Sequence, residues 1–273
     1  MPKSTHKRIT KPKVFESLIA NLPDPDRTGL PAPDSIIGVT MPTAAPMLAA
    51  LGGAAIGKQY TIIHTNEIDE YEEEEELTLA PVTDDFAGKD RKAAKISISS
   101  AKTENFKDVK ALIKSLTPED QMKNHKPKIT TAQTSKRVKE EERNIQVNAF
   151  LYAAKREADN DFHLILGLNP KTLPDMYITM ELSGLPPKNS PAFAALKAAR
   201  DAFKKFFDDH AGGNLPGSGG YDFPRPPVPV EVDGSLFFDV THSTGQRPGP
   251  KSLKSRMPVI WEVHPITKIV FKP

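Results

Sequence analysis

From Asn144 onward, apolar side chains fall on every second position, a spacing that suits the two faces of a β-strand and not the 3.6-residue turn of a helix. Ile145, Val147, Ala149 and Leu151 open a half-buried strand that continues to about Arg156. Glu157 to Asn160 reads as a turn. Asp161 to Leu168 is a second strand, with Phe162, Leu164 and Leu166 on one face and His163 and Ile165 on the other. The turn Asn169-Pro170-Lys171 leads to a third strand built on Met176, Ile178, Met180 and Leu182. Connections this short predict an antiparallel meander. The period then changes. Ser190-Pro191 provides a cap and a first-turn proline, Phe193, Leu196, Ala199, Phe203 and Phe206 or Phe207 recur at helical spacing, and Gly212-Gly213 ends the helix. Lys197, Arg200, Lys204 and Lys205 are expected on its solvated side. A Gly/Pro loop spans Leu215 to Pro229. Val228, Val230 and Val232 alternate into Asp233-Gly234 and on through Leu236, Phe238 and Val240, the glycine marking a bulge or bend. The last strand carries Val259, Trp261, Val263, Ile269 and Phe271.

The order is strand, strand, strand, helix, strand, strand (β-β-β-α-β-β). In this order, and in the fourth-strand phrase Val230-Glu231-Val232-Asp233-Gly234-Ser235-Leu236-Phe237-Phe238-Asp239, residues 144–273 resemble the oligonucleotide/oligosaccharide-binding (OB) superfamily, a small Greek-key barrel. The resemblance implies a mainly β fold with one helix. It also implies a binding module for single-stranded nucleic acid or a protein partner, with neither catalysis nor a cofactor of its own.

The rest of the chain has a different texture. Apolar residues make up 38% of the sequence and 26 positions are proline, so one good core is affordable and a second is not. Residues 1–66 form a Pro/Gly-rich arm with a basic tail: Lys3, Lys7, Arg8, Lys11 and Lys13 precede Leu22-Pro23-Asp24-Pro25, Leu30-Pro31-Ala32-Pro33 and Met41-Pro42. Proline at that density blocks helix, and such an arm suits wrapping a neighbouring subunit, an assembly role with oligomerisation through residues 1–66. Two pieces stand apart, an apolar run from Met47 to Ile56 and a short strand from Tyr60 to His64. Gly52 to Lys58 has the glycine and lysine spacing of a phosphate-binding loop, but Gln59 stands where a magnesium-holding Ser/Thr is required.

Residues 67–143 are an acidic block followed by a basic, partly helical linker. Asp69 to Glu76 places seven carboxylates in eight positions, and Lys123 to Arg143 is polar and basic. Ile96 and Ile98 suggest an edge strand, and Phe106 to Leu116 a helix. The formal net charge of +2 conceals this segregation. Zero cysteines exclude disulfides, thiolate metal sites and cysteine nucleophiles. The lack of a secretory leader or a bilayer-length apolar run points to a cytoplasmic protein without membrane contact.

Two residue sets carry candidate function. A nucleic-acid surface on the barrel would use Tyr152, Tyr177 and Phe237 for stacking, Lys155 and Arg156 on the first strand, and Arg247, Lys251, Lys254 and Arg256 in the Gly/Pro loop before the last strand. The rival is a metal-dependent hydrolase or nuclease. Three strand ends pair a histidine with a carboxylate: His163 with Asp161, His242 with Asp239, and His264 with Glu262. Glu262 and His264 share the face opposite Trp261 and Val263, as Asp161 and His163 do opposite Phe162 and Leu164. Where such faces meet, imidazoles and carboxylates bind zinc or manganese or act as general acid and base. Pairs of this kind also serve simply as hydrogen bonds at strand ends.

Overall fold

The structure is a computed structural model that describes residues 60–67, 83–244 and 247–273. The basic tail, the proline-rich arm up to residue 59, the phosphate-loop-like glycines and the acidic run Asp69 to Glu76 lie outside the described residues. Of the first block, Tyr60 to Asn66 is described and contains the expected strand, β1 (Thr61–His64).

Five long strands close a barrel. In chain order they are β3 (Asn144–Arg156), β4 (Phe162–Gly167), β5 (Tyr177–Leu182), β7 (Val228–Phe238) and β8 (Trp261–Phe271). Around the barrel the order is β3-β4-β5-β8-β7 and back to β3, every contact antiparallel except β5 with β8. The Greek-key, OB-like topology predicted from the element order is therefore present. Two flanking strands extend it: β2 (Thr103–Phe106) runs parallel to β3, and β6 (Asp222–Arg225) joins β1 to the first turn of the meander. β6 lies inside the stretch read as a Gly/Pro loop; Phe223, its apolar residue, is buried against the barrel's outer face.

The inward alternation builds one core from Ile145, Val147, Leu164, Leu166, Ile178, Met180, Val232, Leu236 and Val263. Helix α4 (Phe193–His210) closes one end, with Phe203 4.9 Å from Phe162 by ring centroid and Phe206 stacked on Phe271 at 4.2 Å. It starts after Ser190, whose hydroxyl accepts from the Ala192 amide, and ends at Gly212 and Gly213, both in the left-handed region. Arg200, expected in solvent, is buried instead. Its guanidinium donates to the carbonyls of Asn160, Leu182 and Ser183 and pairs with Asp84 at 3.0 Å. In β7, Gly234 sits at a register break against β8; a Cβ there would lie 2.5 Å from Val263 Cγ1 and 2.6 Å from the Pro265 carbonyl oxygen.

Residues 83–143 are joined to the barrel along their length. Their helices are α1 (Lys92–Lys95), α2 (Val109–Lys114) and α3 (Glu119–Lys123). Val109, Leu112, Met122 and Ile129 belong to the barrel's own core, so the charged sequence holds enough apolar residues to anchor each turn. Ile96 and Ile98 follow α1 in irregular backbone and form no strand, because the segment is held by side chains rather than by a ladder. The chief ties are two arginines. Arg91 is 1% exposed, chelates both oxygens of buried Glu141 at 2.7 and 2.8 Å, and donates to the Phe238 carbonyl. Arg137 donates to the carbonyls of Ala94, Ser97, Leu236 and His264. Among the described residues no helix is long and apolar enough to cross a membrane.

Removing one member of a buried charge pair leaves the other stranded, which costs about 3–5 kcal/mol. Glu141→Ala is expected to lower the free energy of unfolding by that amount in a urea titration, whereas Glu104→Ala, at the exposed pair with Arg143, should change it by less than about 1 kcal/mol.

Candidate metal centre

Because Phe162 and Leu164 point into the barrel, Asp161 and His163 point out; for the same reason Thr179 and Glu181 leave β5, and Glu262 and His264 leave β8. The pairing then gathers them. His163 stands opposite Glu181 in the β4–β5 register, and the parallel register Thr179↔Glu262, Met180↔Val263 brings Glu181 level with His264. All six are buried, with Asp161 and His264 at 0% exposure. The cover consists of α1, of Arg91 lying over the Phe237 ring at 4.5 Å, and of Tyr221 edge-on to His163. Phe237 in turn packs on the His264 ring.

Glu181 is the hub. Its Oε1 lies 3.2 Å from His163 Nδ1, which also meets Glu157 Oε1 at 2.8 Å. Its Oε2 lies 2.8 Å from His264 Nδ1, and His264 Nε2 faces Asp161 Oδ2 at 3.3 Å. Asp161 Oδ1 accepts from the Gly184 amide at 2.6 Å, which fixes the carboxylate's orientation. Asp161 Oδ2, Glu181 Oε2 and both nitrogens of His264 are buried and make no hydrogen bond of acceptable geometry. Beyond Glu262, whose Oε2 is 3.6 Å from His264 Nδ1, Asp239 holds His242 through its Nδ1 and accepts from the Thr241 amide. At the rim Lys95 Nζ reaches Asp159 at 3.4 Å.

Charge is unbalanced here. Glu157, Asp159, Asp161, Glu181, Asp239 and Glu262 outnumber Lys95, Lys155 and the three imidazoles even if every imidazole is protonated. The acids respond in opposite directions. Burial, with Asp159 and Glu181 close by, pushes Asp161 well above the usual carboxylate range. Burial together with Glu181 and Asp239 does the same to Glu262. Burial would raise Glu181 too, but His264, His163 and Lys95 hold it well below. Burial opposes charge on His163, yet Glu157 and Glu181 carry it well above the ordinary imidazole value, while for His264 burial prevails and lowers it. Protons thus compensate a cluster that a divalent cation would neutralise directly.

The chemistry of the donor set fits such a cation. Ligand atoms of Asp161, Glu181 and His264 lie within 4.8 Å of one another, as do those of Glu157, His163 and Glu181, and those of Asp239, His242 and Glu262. Donors about 2.1 Å from a metal stand roughly 3.0–3.4 Å from each other, and the contacts above run from 2.8 to 3.6 Å. The mixed imidazole and carboxylate set suits zinc or manganese. Two arginines position it through the backbone: Arg200 holds the carbonyls on either side of Asp161 and Glu181, and Arg137 holds that of His264.

All five residues of the metal-hydrolase reading, His163, Asp239, His242, Glu262 and His264, thus fall in one continuous cluster. Glu181, Glu157, Asp159 and Lys95 complete it without having been singled out; the signal for Glu181 was a single carboxylate in an otherwise apolar strand. The nucleic-acid set is arranged differently. Tyr152, Tyr177 and Phe237 do lie on the outer face, but they are buried: Leu253 and Met257 cover the tyrosines and Arg91 covers Phe237. Tyr152 donates to the Leu168 carbonyl and packs edge-on against Tyr177. Lys155 is buried near the Tyr221 ring, and Arg156 donates to Thr83 and Asn160. Arg247 pairs with Glu119 and Arg256 with Asp175, while Lys251 is exposed and Lys254 half-buried.

The opposite shifts of the two acids give a direct test in metal-free protein at neutral pH. Glu262→Gln removes a carboxyl whose ionisation burial and Glu181 already oppose and should alter unfolding free energy by less than about 1 kcal/mol. Glu181→Gln strips counter-charge from His163 and should cost about 3 kcal/mol in the same urea titration with chelator present. Comparison of the chain with protein-family models, with curated proteins and with solved structures finds no match.

Proposed function

We propose that this protein is a metal-dependent hydrolase acting on phosphodiesters, with its metal held by Asp161, Glu181 and His264. The observation that carries the reading is the convergence of these three buried side chains, in which Glu181 Oε2 and Asp161 Oδ2 face the two ring nitrogens of His264 at 2.8 and 3.3 Å and none of the four atoms makes a well-formed hydrogen bond. Native proteins rarely bury such atoms unless something binds them. A divalent ion there would supply a Lewis acid and a water acidified enough to attack at neutral pH.

The chain's own groups then have defined tasks. Gly184 and Arg200 hold Asp161 and Glu181 in place. His242, oriented by Asp239 and half-buried, is the group placed to give a proton to the departing alkoxide. Water adds across one P–O bond, leaving a phosphomonoester and an alcohol. Beside Gly184, a shallow depression of about 360 Å³ lined by Asp85, Phe86, Leu185, Pro186 and Pro187 has Lys92 and Lys188 on its walls, two cations against one carboxylate. Passive single-strand binding, the function common for this barrel topology, has fold analogy behind it, but its stacking candidates Tyr152, Tyr177 and Phe237 are buried.

Full-length protein purified without chelator should carry bound metal by elemental analysis and should cleave a labelled single-stranded oligonucleotide in Mn²⁺. Glu181→Gln should lose both the metal and at least about 10²-fold in rate. Metal-free protein that gains no turnover with Mn²⁺ or Zn²⁺, yet retains the oligonucleotide in a salt-dependent way, would replace this reading with the binding module.

A further inference from the structure

We propose that a band of lysines on residues 102–139 binds the phosphate backbone of a nucleic-acid duplex, and that it does so independently of the metal centre. The segment carries both signs of charge, but the fold uses them differently. Its acids are spent on holding the chain together. Glu104 takes a two-pronged contact from Arg143, 2.7 Å at each oxygen, and Asp108 accepts from the Ala111 amide at the start of α2. Glu119 is held by Arg247 and the Ile260 amide, Glu140 by His125 at 3.2 Å and Glu141 by Arg91. Lys102, Lys110, Lys114, Lys126, Lys128 and Lys139 are all exposed and pair with no acid among the described residues. Against them stand two exposed acids without a cation, Asp120 and Glu142. Helix α4 is the contrast: its exposed Lys197 and Lys205 each meet an aspartate one turn on, Asp201 and Asp209.

These lysines share one surface because the segment is tied to itself. Lys110 and Lys114 lie one turn apart on α2, opposite buried Val109 and Leu112. Arg143 joins β2 to the end of α2, since it reaches the Ser115 carbonyl as well as Glu104. His125 meets Glu140 beside Lys139, which brings Lys126 and Lys128 to the turn that leads into Arg143. Arg247, in the loop that follows His242, pairs with Glu119 at the edge of the band.

The chemistry of the band selects its partner. Among the described residues the exposed large apolar side chains are Leu173 and Val270, neither of them here, so the band lacks the anchors with which a protein partner or a bilayer is gripped. Its one aromatic, Phe106, is half-buried, so unpaired bases find nothing to stack on. What it offers is unpaired point charge, which suits phosphate oxygens and carries no sequence information. A duplex, with its phosphates outward and its bases enclosed, matches that offer.

The test is fluorescence anisotropy of a labelled DNA duplex of mixed sequence, titrated with full-length protein in the presence of chelator. Affinity should be the same for a second, unrelated sequence and should fall at least about 10²-fold between about 50 and 200 mM salt, as four or more phosphate contacts require. Lys110→Glu/Lys114→Glu and Lys126→Glu/Lys128→Glu, all at exposed positions, should each weaken binding at least about tenfold, whereas the same charge change on α4, Lys197→Glu/Lys205→Glu, should weaken it less than about threefold where salt screens distant charge. Equal losses in all three variants assign the effect to net charge and overturn the band. It is overturned as well by a duplex that does not bind, or by protein that binds phosphatidylserine vesicles and not the duplex. None of these outcomes touches the metal-hydrolase reading, which is decided by the metal content and turnover of Glu181→Gln.

Discussion

The one parallel contact in the barrel, between β5 and β8, is the constraint on which the site depends. Every other neighbour is joined by antiparallel pairing, and an all-antiparallel sheet would separate the middle of the chain from its end. The α4 crossover and the return of β7 along β3 leave a gap that only the last strand fills, and it fills it running with β5. The paired stretch is short, two residue pairs, yet it sets the level of His264 against Glu181. A slip of one residue would send the imidazole into the apolar core and Val263 to the outer face. The bulge at Gly234 bears on the same strand, since a side chain there would collide with Val263 and the Pro265 carbonyl and displace β8 where its outward residues matter most.

Three buried guanidiniums divide the remaining work. Arg91 neutralises Glu141 and roofs Phe237, Arg137 ties α1 to β7 and β8, and Arg200 ties α4 to the chain around Asp161 and Glu181. Arginine suits this because its planar fork satisfies several carbonyls at once while remaining charged. The outer face of strands β4 and β5, which barrels of this type commonly offer to a ligand, is here enclosed by the chain's own preceding residues. Enclosure lowers the local dielectric, and that is why six carboxylates there titrate so differently from one another.

Much of the barrel was legible because period-two alternation is a local signal, and the outward orientation of Asp161, His163, Glu262 and His264 followed from it. Their meeting did not, since it depends on the pairing of strands about a hundred residues apart in sequence. Glu181 carried only a faint mark, one acid among apolar neighbours, and became central through its partners. Arg200 shows the opposite failure: helical spacing placed it with the lysines, and only tertiary packing showed that its face is covered by residues 83–86 and the turn at Asn160. Residues 83–143 read as a linker because their charge outweighs their apolar content, but Val109, Leu112 and Met122 sit at spacings sufficient to pin short helices to a core already present. The aromatic residues expected in solvent were on the anticipated face, and composition gave no hint that it was covered.

Arg137 has a mechanical consequence. Its single guanidinium spans the turn after α1, β7, and the backbone of His264 itself, so the roof over the cluster and the strand beneath it are one rigid piece. Lifting the roof would break all of these bonds together and pull on the backbone of His264 itself. The cluster meets water instead at its rim, where the side chains of Glu157, Asp159 and His242 are each less than a fifth exposed, so solvent reaches it from the side and not through the roof.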